Sequence, residues 1–143
     1  MKPEIDQILV TSALQLLSDL VPRLPEQHLQ GEASLIAFML LLSANEYGRA
    51  AEIRAAENAD MRALFAALAP KVRGEDLRRE LQAAVSGEDG SLAIAALNES
   101  NYALRRFLIR LHEHVEDDPI ANAEIWSLLK TIAERRFLAP PRF

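Results

Sequence analysis

The chain has 143 residues, of which half are apolar, 26% are charged and none is cysteine. A chain of this length and hydrophobicity is expected to form one domain over residues 1–143 with a buried core, which excludes an intrinsically disordered protein. Without cysteine, disulfides and thiolate metal sites are also excluded. The net charge of -5 argues against nucleic-acid binding, which needs a basic surface.

The start of the chain has no signal-peptide pattern, and we therefore expect a cytoplasmic protein. The longest apolar stretch covers residues 33–44 and reads ASLIAFMLLLSA. It is shorter than the roughly 20 apolar residues that a membrane-spanning helix needs. We expect this stretch to form a buried helix, and we expect the protein to have no membrane contact.

The composition favours helices. Ala and Leu occur 23 times each, against 5 Val, 9 Ile and 2 Thr, and this balance favours helix over strand. A first helix is predicted over residues 4–21, with Pro3 at its start, and it ends before Pro22 because proline disfavours helical geometry in the preceding residue. Its apolar residues fall in two stripes, so we expect it to be covered on more than one side.

Four further helices follow. The second is predicted to begin near Pro25 or Gly31 and to end near Pro70, either as one long helix or with a break near residues 45–48. Glycine, proline and capping residues place the others over residues 75–86, 91–117 and 119–136, with a loop at 87–91 and an irregular tail at 138–143. Asp118 is predicted to cap the last helix, because Pro119 suits the first helical position.

The fourth helix has the most regular apolar pattern. Its members recur at alternating spacings of three and four residues: Ile94, Leu97, Asn101, Leu104, Leu108, Leu111 and Val115. This spacing is typical of a helix that packs at a shallow angle on its neighbours. The sequence therefore predicts an all-α fold, an antiparallel up-and-down bundle of four long helices and one short helix.

Two segments share the pattern N-x-x-[ML]-R-x-[LF]-[FL]. One begins at Asn58 and the other at Asn101, and each leads through a proline-containing joint into another helix. A degenerate duplication of a helical hairpin would explain the match. Chance similarity in a chain rich in Ala, Leu and Arg would explain it as well.

The two asparagines occupy core positions of their helices, so both amides are predicted to face inward. A buried amide needs partners, and we expect the two to bond to each other, to backbone carbonyls, or to Arg62 and Arg105 one turn further on. One interpretation is that they fix the register of the helices. The other is that Asn58, Arg62, Asn101 and Arg105 line a cleft for a small anion, although Glu57 and Glu99 are near enough to neutralise the arginines.

No catalytic or cofactor-binding motif is recognisable, because the serines, glycines and histidines lack the spacing of nucleophile, phosphate-loop or dinucleotide motifs. His112 and Glu116 lie one helical turn apart and are weak candidates for a zinc or nickel site, whereas such residues at a helix end are more often solvated. We therefore predict no catalytic residue, no cofactor and no metal.

Trp126 lies in phase with Leu129, beside the predicted core stripe of the last helix. It either covers the edge of the core or contacts a second molecule, and these two residues are the predicted interface. We expect a non-enzymatic interaction or regulatory protein that forms a homodimer. The alternative is a small-anion-binding protein that uses the Asn and Arg cluster, and the third hypothesis is an enzyme without a recognisable motif.

Overall fold

The computed structural model describes residues 4–138. Helices account for 86% of it, and no strand occurs among the described residues, so the predicted all-α class is confirmed. The five α-helices of this part are α1 (Ile5–Gln15), α2 (Gln27–Leu68), α3 (Glu75–Ser86), α4 (Ile94–Val115) and α5 (Pro119–Arg136). The predictions for Pro3 and for tail residues 139–143 lie outside the described residues.

The described residues divide into two compact units. The first comprises residues 4–50 with residue 138, and the second comprises residues 51–137. Residues of α2 belong to both units, and this helix shows no break at residues 45–48. The prediction of a single domain stays a prediction. None of the described helices is long and apolar enough to cross a membrane.

The first unit begins with α1, which continues as a π-helical turn at Leu16–Leu20 and a 3-10 turn at Val21–Arg23. The helix predicted over residues 4–21 is therefore regular only as far as Gln15. Pro22 supplies the reason, because its ring collides with the carbonyl four residues earlier in a regular α-helix. A wider π turn before the proline relieves that collision.

All the buried side chains of the first unit are alanines: Ala13, Ala33, Ala37, Ala44 and Ala50. Within residues 33–44, Leu35 and Met39 are 61% and 56% exposed. The expectation that this stretch forms a buried helix is therefore wrong for the single chain. The expectation that the first helix is covered on more than one side is wrong for the same reason, since Ile5 and Leu14 on α1 are also half exposed.

The second unit has a conventional hydrophobic core, to which α2, α3, α4 and α5 all contribute. Its buried members are Met61, Leu64, Phe65, Leu68, Ala69, Val72, Leu77, Leu81, Leu104, Leu108, Leu111, Val115, Ala121, Ile125, Leu128 and Ile132. The predicted apolar pattern of α4 is buried from Leu97 to Val115, and only its first member, Ile94, is exposed. Ile94 is the first residue of α4, so the exposed member lies where the helix begins.

The start of α5 is as predicted. Asp118 is the N-cap, and its Oδ1 accepts hydrogen bonds from the backbone N–H groups of Ile120 at 3.0 Å and Ala121 at 3.1 Å. The hydrogen bond from the N–H of Ala121 lowers the pKa of Asp118, whereas burial raises it. The N–H of Ile120 and the ammonium group of Lys71 lower this pKa further. The carboxylate form that caps the helix is therefore favoured.

The fold makes a direct prediction for α4. Leu111→Ala removes a fully buried side chain from the core and should lower the free energy of unfolding by about 2–5 kcal/mol. Ile109→Ala, on the exposed side of the same helix, should change it by no more than about 0.5 kcal/mol. Urea unfolding measures both, and equal losses would contradict the burial pattern of α4.

Candidate functional site

The two asparagines of the repeated pattern meet in the interior of the second unit. Asn58 on α2 and Asn101 on α4 are both buried, and the Nδ2 of Asn101 donates a hydrogen bond of 2.9 Å to the Oδ1 of Asn58. Asn58 also donates to the backbone carbonyl of Leu97 at 3.3 Å. Both amides face inward, as predicted, and the kinds of partner expected for them are present: the other amide, a backbone carbonyl and, for Asn101, Nε of Arg105 at 2.9 Å.

A fully buried carboxylate, that of Glu57, lies beside this pair. Arg136 on α5 holds it with two bonds of 2.5 Å, from Nε to Oε1 and from Nη2 to Oε2. Oε2 also accepts from Nδ2 of Asn101 at 3.0 Å and lies 3.5 Å from Nη2 of Arg105. We call these four residues the Glu57 centre.

The charge state of the Glu57 centre follows from these contacts. Burial raises the pKa of the Glu57 carboxyl, but the hydrogen bonds and charge of Arg136 oppose it. The amide of Asn101 and the charge of Arg105 also lower the pKa, so that it lies below its ordinary value of 4.5. Glu57 is therefore ionised at neutral pH although water does not reach it.

A second carboxylate, that of Asp89, lies in the segment between α3 and α4 and is also bound by several donors. Its Oδ1 accepts from Nη2 of Arg62 at 2.9 Å, from the hydroxyl of Ser100 at 2.7 Å and from Nδ2 of Asn58 at 3.1 Å. Nδ2 of Asn58 is also 3.1 Å from Oδ2. We call Asp89 and these three partners the Asp89 centre.

The Asp89 centre also keeps its carboxylate charged. Burial raises the pKa of Asp89, but the hydrogen bonds from Arg62, Ser100 and Asn58, with the charge of Arg62, hold it below its ordinary value. The side chains of Arg62 and Asp89 are only 16% and 13% exposed. This ion pair is therefore better shielded from water than a surface pair.

The four residues predicted to form one anion cleft are thus shared between two centres. Asn101 and Arg105 serve Glu57, whereas Asn58 and Arg62 serve Asp89. In each centre an asparagine and the arginine four residues later contact one carboxylate. The repeated Asn-x-x-x-Arg spacing places both donors on one side of a helix, because residues four apart are neighbours there.

Three participants were not predicted from the sequence: Arg136, Asp89 and Ser100. Arg136 lies in the last turn of α5, where a positive charge suits the helix dipole, and this local role gives no sign of a buried partner. Asp89 lies in a loop, where no periodicity indicates which side chains turn inward. The neutralising role expected of Glu57 is consistent with its contacts.

Of the weak metal candidates, His112 lies on α4 and Glu116 directly follows its last residue. Nε2 of His112 is 2.9 Å from the amide oxygen of Asn122, so that nitrogen is already engaged. His112 and Glu116 line a shallow cavity of about 230 Å³ with Ile109 and Glu113. Among residues 4–138, no three His, Asp or Glu side chains form a group that could hold a metal ion.

The predicted interface residues lie on α5. Trp126 is 60% exposed, and its indole meets the ring of His112 edge-on with centroids 6.0 Å apart. Leu129 is partly buried against the core. Their role in association stays a prediction.

No family model matches this chain, and comparison with curated proteins and with solved structures found no match. Its function is therefore inferred from its own residues.

The Glu57 centre makes a prediction about stability. Arg136→Gln should lower the free energy of unfolding by about 3 kcal/mol, because a fully buried carboxylate loses its two shortest bonds. Arg79→Gln breaks an ion pair with Asp76 that is exposed on both sides and should cost at most about 1 kcal/mol. Chemical unfolding of both variants tests this, and a small effect at Arg136 would show that Glu57 does not depend on it.

The lowered pKa of Glu57 predicts a pH dependence. A carboxyl whose pKa is lower in the folded protein stabilises the fold above its unfolded value, and this contribution disappears as pH falls through the folded value. Wild type should therefore lose stability below about pH 4.5 more steeply than Glu57→Gln. Melting curves between neutral and acidic pH give the comparison, and parallel curves would contradict an ionised Glu57.

Proposed function

We propose that this protein is a non-enzymatic interaction protein that forms a homodimer through the apolar surface of its first unit. One observation carries the proposal: in residues 4–50 only alanines are buried, no large apolar side chain is buried, and nine of the large apolar side chains are exposed. The exposed set consists of Ile5, Ile8, Val10, Leu14, Leu20, Leu35, Ile36, Met39 and Tyr47.

These side chains are close enough on each helix to form patches. Leu35, Ile36 and Met39 lie within about one turn of α2, and Ile5 and Ile8 lie within one turn of α1. Monomeric proteins seldom expose contiguous apolar patches of more than a few hundred Å², and larger patches usually mark interaction sites. Covering such residues removes apolar surface from water, and this stabilises the complex by a free energy of about 25 cal/mol per Å².

The charge distribution supports a second copy of the chain as the partner. Residues 7–18 and 33–45 contain no Asp, Glu, Lys or Arg, whereas acidic residues flank both stretches. In a two-fold symmetric contact the same surface meets itself, so acidic residues at its centre would repel each other. An uncharged centre with charges at the rim avoids this repulsion and is the usual arrangement of an interface.

The surface around Trp126 and Leu129 is the second candidate for the contact. It offers an exposed indole, but Leu129 already packs on the core of its own unit and the indole already contacts His112. The first unit leaves more large side chains uncovered. We therefore place the primary contact on residues 4–50 and keep Trp126 as the alternative that the experiment distinguishes.

The proposal includes an architecture for the second unit, namely an antiparallel bundle that arose by duplication of a helical hairpin. The shared hydrophobic core of α2 to α5 supports the bundle. The duplication is supported by the Asn58–Asn101 bond and by the parallel use of Arg62 and Arg105.

The proposed homodimer predicts a mass that depends on specific surface residues. Wild type should sediment as a dimer at micromolar concentration. Leu35→Glu combined with Met39→Glu should yield a monomer with unchanged helical content, because each buried carboxylate at the interface would need a partner. Sedimentation equilibrium and circular dichroism provide the two measurements.

Two control variants place the contact. Ile109→Glu puts one carboxylate on an exposed apolar position of α4 and should leave the dimer intact. Trp126→Glu tests the alternative surface. A monomeric wild type would refute self-association, and a dimer that dissociates only with Trp126→Glu would refute the contact on the first unit.

A further inference from the structure

Asp89 is bound by the rest of the second unit much as a ligand is bound by a receptor. It lies between α3 and α4, in a segment without regular structure. Its partners come from two helices, Asn58 and Arg62 from α2 and Ser100 from α4. The side chain is 13% exposed, although Glu88 and Gly90 on either side of it are exposed.

The partners have the chemistry of an anion site. They supply a guanidinium, an amide N–H and a hydroxyl, and none of them carries a negative charge. Guanidinium groups favour carboxylates and phosphates, because two parallel N–H donors match two oxygens. The amide and hydroxyl add neutral donors that fix the orientation of the bound oxygen atoms.

Asp89 does not use all the donors that Arg62 offers. Of the Arg62 nitrogens, Nη2 is the one that donates to Asp89, and it also donates to the hydroxyl of Ser100 at 3.1 Å. The neighbouring Nε of Arg62 is buried and has no hydrogen-bond partner among the described residues. A buried donor without a partner costs about 1–3 kcal/mol, and an anion with two or more oxygens could engage Nε and Nη2 together.

Glu57 and Asp89 differ in how easily each carboxylate could be withdrawn from its partners. Glu57 lies within α2 and is fully buried, so withdrawing it would require the helix itself to move. Asp89 lies in a short irregular segment with exposed neighbours, and such segments open locally at lower free-energy cost than a packed helix. Exchange with an external anion is therefore feasible at Asp89.

We propose that Asn58, Arg62 and Ser100 form a binding site for a small carboxylate or phosphate, which Asp89 closes as an internal ligand. The external anion binds when the loop withdraws Asp89 from Arg62. Its apparent affinity is lower than the intrinsic affinity by the fraction of molecules in the open state. The residues of this site all belong to the second unit, so the proposal does not rest on the proposed dimer.

Asp89→Ala tests the site by removing the internal ligand. Acetate and inorganic phosphate should bind this variant at least about tenfold more tightly than wild type, because the open state no longer competes with a closed one. Asp76→Ala is the matched control, since it removes one acidic residue at an exposed position of α3, and it should bind as wild type does. Titration calorimetry gives the affinities, with chloride as a spherical anion for comparison.

Arg62→Gln in the Asp89→Ala background assigns the binding to this site and should abolish it. Should Asp89→Ala fail to fold, Asp89→Asn keeps the shape of the side chain without its charge, and the same criteria apply to it. Equal affinities in wild type and the Asp89 variant, or binding that survives Arg62→Gln, would overturn the proposal.

Discussion

The second unit depends on the neutralisation of one buried charge. Water does not reach Glu57, and an unpaired carboxylate in such a position would cost several kcal/mol. Its partners come from two other helices, Asn101 and Arg105 from α4 and Arg136 from α5. These helices must therefore meet α2 in one register, because a slip of one residue in either would withdraw its donors. The apolar core supplies stability without that selectivity, since hydrophobic burial is non-directional.

The sequence predicted those features of the helices that depend on residues within a few positions of one another. Asp118 and Pro119 defined the start of α5 because an N-cap and a proline act within a single turn. The spacing of α4 predicted its buried side, since helical periodicity determines which side chains share a face. The π turn before Pro22 was missed, because proline indicates that a helix must end without indicating how its last turn adjusts. The burial of residues 33–44 was also mispredicted, since hydrophobicity does not show whether a segment of the same chain covers it.

The candidate site was predicted only in part, for a related reason. The helical phase of Asn58 and Asn101 placed both residues inside the fold. A buried amide needs a partner, so the other asparagine was among the partners expected for each of them. Arg136 and Asp89 reach the same region from distant parts of the chain. The sequence around Arg136 does not distinguish it from Arg135. Only the three-dimensional path of the chain brings Arg136 to Glu57 and Asp89 to Arg62.

The two centres use one arrangement of donors for different purposes. In both, an asparagine and the arginine one turn later face a carboxylate, yet Glu57 is fixed by its helix whereas Asp89 is tethered by a loop. In both, the chain itself supplies the anion that the donors bind. A carboxylate within a helix makes the site permanent and structural. A carboxylate on a loop leaves the site open to competition, and its occupancy then depends on the local stability of residues 87–93 rather than on the fold as a whole.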